Sequence, residues 1–356
     1  MSNKWKDYSL VGKRNAQAVE SGLAGADWYQ CPVPRKEMKA LMQRRDGPAI
    51  RDTLIWFFLL GVFGYLMLQT WQTVWFVPFF LLYSLFYGSC GDSRWHECAH
   101  GTAFKTRWMN TALYHFASFL VFRNGVLWKW SHARHHTDTI VVGRDPEIAV
   151  SRPTSLWFLV IQWFYLADAK SQLGRMLRLA LFGLNEEERD FVPDTEQHKV
   201  VLESRIQLLI FILVISLAII TQSWLPLFFV GLPTLFGAWA DVVLFGWTQH
   251  AGLAEDVVDH RQNCRTVYMN PLFRFIYWNM NYHLEHHMFP LVPYHALPKL
   301  HELIKEDTPP AYNGLYQAWR EILPALIKQQ SDPSYFVRRP LPDTARPFKK
   351  LPEAGC

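Results

Sequence analysis

Residues 53–91 read TLIWFFLLGVFGYLMLQTWQTVWFVPFFLLYSLFYGSCG, with no charged residue anywhere in the run. A second stretch, residues 206–240, reads IQLLIFILVISLAIITQSWLPLFFVGLPTLFGAWA and is equally free of charge. Each is about twice the roughly 20 residues that cross a bilayer as a helix. Short polar turns divide them near Gln69–Thr73 and Thr221–Trp224. The pattern predicts four membrane helices in two hairpins: Leu54–Leu68 with Val74–Tyr87, and Ile206–Ile220 with Leu225–Phe245. Trp71, Trp75 and Trp224 stand where aromatic residues mark a membrane interface. The mean hydropathy of −0.03 would suit a soluble protein, but the average conceals the segregation.

Composition excludes several classes. A chain that is 50% hydrophobic and 15% aromatic is no disordered segment. Five cysteines (31, 90, 98, 264 and 356) in this length make no disulfide framework, and none has C-x-x-C spacing. A formal charge of +5 is too mild to argue for nucleic acid. Its distribution is more informative: Arg35, Lys36, Lys39, Arg44, Arg45 and Arg51 crowd the approach to the first apolar run, while both hairpin turns carry no Lys or Arg. By the positive-inside rule the turns face away from the cytoplasm and the polar parts face it. The first apolar run begins only at Leu54, which is unlike a secretory signal peptide. The expected setting is a bacterial inner membrane rather than the endoplasmic reticulum, with the functional residues on the cytoplasmic side.

The expected organisation is all-α and one unit over 1–356. It comprises a cytoplasmic segment (1–52), hairpin 1 (53–91), a polar and interfacial region (92–205), hairpin 2 (206–250) and a cytoplasmic region with the tail (251–356). Thr111–Phe122 and Leu156–Ala167 are apolar but too short to span comfortably, and read as interfacial helices of a cytoplasmic helical cap. Gly143–Pro153 and Leu184–Thr195 read as loops, and the tail from Asp307 as a surface wrap.

Eight of the 14 histidines fall in three clusters: His96-Glu-Cys-Ala-His100, His132-Ala-Arg-His135-His136 and His283-Leu-Glu-His286-His287. A ninth, His250, ends the fourth apolar helix. Positions i, i+3 and i+4 share one helix face, so each cluster can aim its rings at a common point. Adjacent histidines diverge by about 100° and suit two neighbouring metals. Two readings compete. His96-Glu97-x-x-His100 alone is the zinc-protease signature, with Glu97 as base. A catalytic zinc, however, takes only about three protein ligands, and nine imidazoles match two metals better. His115 reads as a packing residue, and His198, His260, His295 and His301 as solvated or locally bonded.

The three boxes, split by membrane hairpins, resemble the membrane fatty acid desaturase superfamily. The similarity continues through Gly143-Arg144-Asp145-Pro146-Glu147 and His286-His287-Met-Phe-Pro290, and covers roughly residues 50–305. It implies a non-haem di-iron centre, two Fe ions held by His96, His100, His132, His135, His136, His250, His283, His286 and His287, with O2 as co-substrate. It also implies a fatty acid or fatty-acyl substrate. The reaction implied first is desaturation; hydroxylation, or oxidative decarboxylation to a terminal alkene, would use the same site. No His-Pro-Gly-Gly motif of a fused cytochrome b5 occurs, so the electrons are expected from a separate ferredoxin, rubredoxin or cytochrome b5 type donor with its reductase. The stearoyl-CoA branch places an asparagine where this chain has Gly246, and Asn279 is the candidate substitute.

Asp92, Glu97, Asp138, Asp145, Glu147 and Glu285 are expected to accept the outer ring N–H groups of the histidines. Asp241, the one charge inside an apolar helix, is a candidate to line the acyl cavity. Trp128 and Trp130 are candidates for its wall, which is expected to be dry and apolar. Arg123, Lys129, Arg134 and Arg144 are candidates to hold a carboxylate or phosphate head group.

Overall fold

The computed structural model describes residues 6–351, and the regular structure among these is helical; Cys356 lies outside the described residues. Three segments have the length and apolarity to cross a membrane: Arg35–Gln69, Asp194–Ile220 and Leu225–His250. Their side chains remain uncovered: Phe58 is 68% exposed, Leu213 58% and Ile220 78%. A continuous apolar surface of that kind belongs against lipid.

Two of these helices start well ahead of their apolar runs. Asp46–Gln69 begins where the Asp46 carboxylate accepts the backbone N–H (2.9 Å) and the hydroxyl (2.8 Å) of Thr106. The helix Asp194–Ile220 adds turns before Ile206. Those turns grip the helix Gly125–Thr137: Asn124 Nδ2 donates to the Val200 carbonyl at 2.8 Å and to Ser204 Oγ at 2.9 Å. The apolar helices thus continue into the polar region and position it.

The other two arms depart from the expected continuous spans. Phe76–Gly88 has 13 residues, about 20 Å at the usual rise, against a hydrocarbon core of about 30 Å. The run Leu225–Phe245 is not one helix but Leu225–Phe229, Leu232–Ala238 and a π-helical turn, Trp239–Phe245. Gly231, at φ +98°, makes the break, and a proline stands in the first turn of each flanking helix. A π turn leaves backbone groups less regularly paired, and such turns recur at functional positions.

Leu232–Ala238 packs directly on Phe76–Gly88 through glycines. A Cβ added at Gly237 would stand 1.6 Å from the Ser84 carbonyl oxygen, and one at Gly88 2.2 Å from the Ala238 nitrogen. Between helices that cannot use the hydrophobic effect against lipid, such backbone approach supplies the packing.

In the polar region Arg107–Leu120 forms as expected, but Leu156–Ala167 breaks at Tyr165 (φ +54°). A 17-residue helix, Leu166–Phe182, follows it. Its apolar positions are interleaved with Lys170, Arg175 and Arg178, so it does not show as an apolar block. Leu184–Thr195 holds a short helix, Glu186–Phe191, started by an Asn185–Glu188 capping box. The tail expected as a surface wrap from Asp307 includes a helix, Leu315–Ser331, that buries Ala318, Ile322, Ala325 and Leu326, and chain without regular structure follows it.

Gly237→Val is expected to remove folded protein entirely, read as loss of the monodisperse peak in detergent size-exclusion chromatography. Gly61→Ala, whose added methyl meets nothing within 4 Å, should leave that peak unchanged.

Candidate metal centre

Four short pieces of helix bring the histidines together. Arg94–Ala99 carries the first cluster immediately beyond the end of Phe76–Gly88, and Gly125–Thr137, capped by Asn124, carries the second. His283–Met288 carries the third, and Trp247–His250 ends in His250. Their nitrogens fall into two groups, each within 4.8 Å: His96, His100, His132, His136 and His286; and His135, His250, His283 and His287. In the first group His96 and His286 approach to 2.9 Å through Nε2, as do His100 and His132. In the second, His250 and His283 do the same at 2.9 Å. Adjacent His135 and His136 enter different groups, as do His286 and His287, because neighbouring positions on a helix point apart.

The outer nitrogens explain which atoms face inward. His96 Nδ1 meets Asp92 at 2.9 Å, His132 Nδ1 meets Glu147 at 2.9 Å and His135 Nδ1 meets Asp145 at 2.8 Å. His250 Nδ1 faces the Asn263 carbonyl at 2.7 Å and His287 Nδ1 faces Thr139 Oγ1 at 3.2 Å. A neutral imidazole has one N–H and one lone pair, so donation outward leaves the lone pair on Nε2. One proton can bridge a pair of such nitrogens, but not a group of five. His136 Nδ1, His283 Nδ1, His286 Nδ1 and His287 Nε2 are buried with no partner among the described residues. Burial also pushes His96 below the ordinary imidazole range and His100, His132, His136, His283, His286 and His287 well below it. His135 differs: burial lowers it, but Asp145 together with Glu147 and Asp92 outweighs burial and pushes it up to about 9, so a cation would displace its proton. Converging imidazole nitrogens, three of them (His96, His132 and His135) backed by carboxylates on the outer nitrogen, are a donor set that could hold metal.

Several expected partners lie elsewhere. Glu97 accepts the Tyr294 backbone N–H at 3.1 Å and reaches no imidazole; burial pushes it up to about 7. A catalytic zinc takes about three protein ligands, whereas nine imidazoles stand here in groups of five and four. Glu285 bonds His301 at 2.5 Å and Thr266 at 2.6 Å, Asp138 pairs with Arg144 at 3.0 Å, and Asn279 bonds Arg274 and Tyr294. None of these four reaches the cluster. At Gly246 a Cβ would stand 2.4 Å from the Val242 carbonyl, so no side chain fits there. Thr139 and the Asn263 carbonyl went unrecognised in the sequence, the latter because a backbone group leaves no side-chain signature. His260 is buried rather than solvated, stacked on Trp28 at 4.1 Å and grouped with Cys264 and His287.

With this geometry in place, the family model described as fatty acid desaturase matches residues 69–319. The chain belongs to the fatty acid desaturase family. Membership makes it an oxidoreductase family member with a fatty acid substrate at a membrane, and the two histidine groups lie within the matched residues.

A cavity of about 280 Å³ touches both histidine groups of this desaturase family protein, through His96, His135 and His250. Arg123 and Trp128 line it; Asp241 and Trp130 do not. Asp241 instead accepts the Asp92 backbone N–H at 2.5 Å, and Asp92 in turn holds His96. Trp130 packs against Leu127, Leu179 and Leu184. Lys129 is exposed, Arg134 pairs with Asp190 at 3.1 Å and Arg144 with Asp138. Contrary to the expected dry tunnel, the lining is rich in charge: Arg152, Arg175, Asp168 and Glu147 join Arg123.

Two substitutions separate the roles of the carboxylates. Asp145→Asn should lower metal affinity by about 10–100-fold, as removal of an outer partner does. Glu97→Gln should keep metal content and turnover within about threefold, since an amide oxygen can accept the same backbone N–H; both are read by metal analysis and initial rates.

Proposed function

We propose that this protein is an O2-dependent membrane fatty acid desaturase whose two histidine groups hold two iron ions. The observation that carries it is the division of nine imidazoles into groups of five and four with their lone pairs converging. His96, His100, His132, His136 and His286 would hold one ion, and His135, His250, His283 and His287 the other. When bound, such a pair supplies the oxidising power, with dioxygen, to break an unactivated C–H bond. The balance for desaturation is R–CH2–CH2–R′ + O2 + 2 H+ + 2 electrons giving R–CH=CH–R′ + 2 H2O. The two electrons come from a donor of the ferredoxin, rubredoxin or cytochrome b5 type.

The chain's own residues perform three tasks. Asp92, Glu147 and Asp145 hold protons at the outer nitrogens of His96, His132 and His135, keeping the inner nitrogens free for metal. Trp95, against His132 at a ring distance of 5.3 Å, and Trp128 wall the metal-facing side and limit water. The cavity admits the substrate between the two groups. We place all of this on the cytoplasmic side of a bacterial inner membrane, beneath four helices in two hairpins, because basic residues cluster at this end and are missing from both hairpin turns.

Feeding free fatty acids of several lengths to the purified protein with a reducing system, and analysing products by mass spectrometry, tests the proposal. A product two hydrogens lighter, formed only with oxygen, is expected. Hydroxylation would add an oxygen atom and decarboxylation would shorten the chain by one carbon. Peptide cleavage continuing without oxygen would overturn the whole assignment.

A further inference from the structure

Arg123 is 7% exposed, yet it forms no ion pair with any described residue. Its guanidinium lies between two indole rings, 4.5 Å from Trp95 and 4.4 Å from Trp128. One nitrogen donates to the Gly91 carbonyl, and Nε is buried with no partner. A buried cation without an anion is costly, and the usual remedy is a counter-ion. Burial works against its charge, and the carboxylates of Asp92, Glu147 and Asp168 favour it only from beyond ion-pair distance. Asp168 lines the same cavity without coming within ion-pair distance.

We propose that Arg123 binds the free carboxylate of the substrate inside this cavity, beside the two histidine groups. The proposal rests on the di-iron function given above and specifies its substrate: the free acid, rather than a thioester or a lipid-linked chain. The Trp95 ring that the guanidinium covers also lies 5.3 Å from His132 and 6.1 Å from His96, and His96 lines the same cavity. A carboxylate on Arg123 therefore holds the first few carbons of the chain against the metal site. A thioester has no carboxylate at that end, and its phosphates sit many bonds from the acyl carbons. Gln172, which accepts from Trp128 Nε1 at 3.3 Å through its Oε1, keeps its amide N–H groups free for the same head group. Arg175, paired with Glu188 at 3.6 Å, lines both this cavity and a second one of about 530 Å³.

The experiment measures binding of a medium-chain fatty acid, its methyl ester and its CoA thioester to the iron-loaded full-length protein in detergent. Calorimetry gives affinity, and iron content and oxygen uptake are recorded on the same preparation. The acid is expected to bind at least about tenfold more tightly than the ester, the usual margin for a hydrogen bond to a charged group. Arg123→Gln should erase that preference and Arg123→Lys should restore part of it. Asp168→Asn should tighten the acid alone, because a repelling carboxylate has gone. Equal binding of acid and ester by the native protein needs no variant to fold and would overturn the site. So would a CoA thioester bound more tightly than the acid, or tighter ester binding in Asp168→Asn. A preparation without iron or oxygen uptake would count against the di-iron function; an iron-containing protein indifferent to the carboxylate would count against the head-group site alone.

Discussion

Nine imidazoles meeting at one end of a helical assembly constrain everything around them. A lone pair repels another lone pair, and three pairs of these nitrogens approach to 2.9 Å. The carboxylates of Asp92, Asp145 and Glu147 make the problem sharper, because each fixes a proton on the outer nitrogen and commits the inner one to acceptance. A cation between the rings satisfies the arrangement. The remaining features of the structure follow from the need to hold those rings still before that charge arrives.

The membrane helices are part of that support. Asp241 sits within an apolar span, a position that costs a few kcal/mol on insertion scales. Its carboxylate takes the backbone N–H of Asp92, whose own carboxylate takes His96, Gln249 and Tyr277. The π-helical turn that presents Asp241 is also the piece that leads to His250. One irregular segment therefore links the third apolar span to both histidine groups. The glycine contact between Phe76–Gly88 and Leu232–Ala238 fixes the distance between the two arms that end in His96 and His250.

Much of this was legible in the sequence, for identifiable reasons. Uncharged runs announce lipid-facing helices, and a spacing of three and four residues announces a shared helix face. The split of His135 from His136 follows from the 100° turn alone. The second layer was harder. Asp92, Asp145 and Glu147 lie near their histidines in sequence, but so do Glu97, Asp138 and Glu285, which turn away to bond Tyr294, Arg144 and His301. Carboxylate position along the chain does not encode which way a loop closes. Leu166–Phe182 and Leu315–Ser331 escaped because amphipathic helices rich in charge resemble polar loops by composition. The charged lining of the cavity was hidden for a related reason: Arg175 is far from every histidine cluster in sequence, and only the fold places it in one cavity with Arg123 and Arg152.

X-ray absorption at the iron edge, combined with metal analysis of the purified protein, addresses the central claim most directly. Two irons per chain with a first shell dominated by imidazole nitrogen is the result expected from the proposed di-iron function. A single metal per chain, zinc in place of iron, or a shell built mainly from carboxylate oxygen would contradict it.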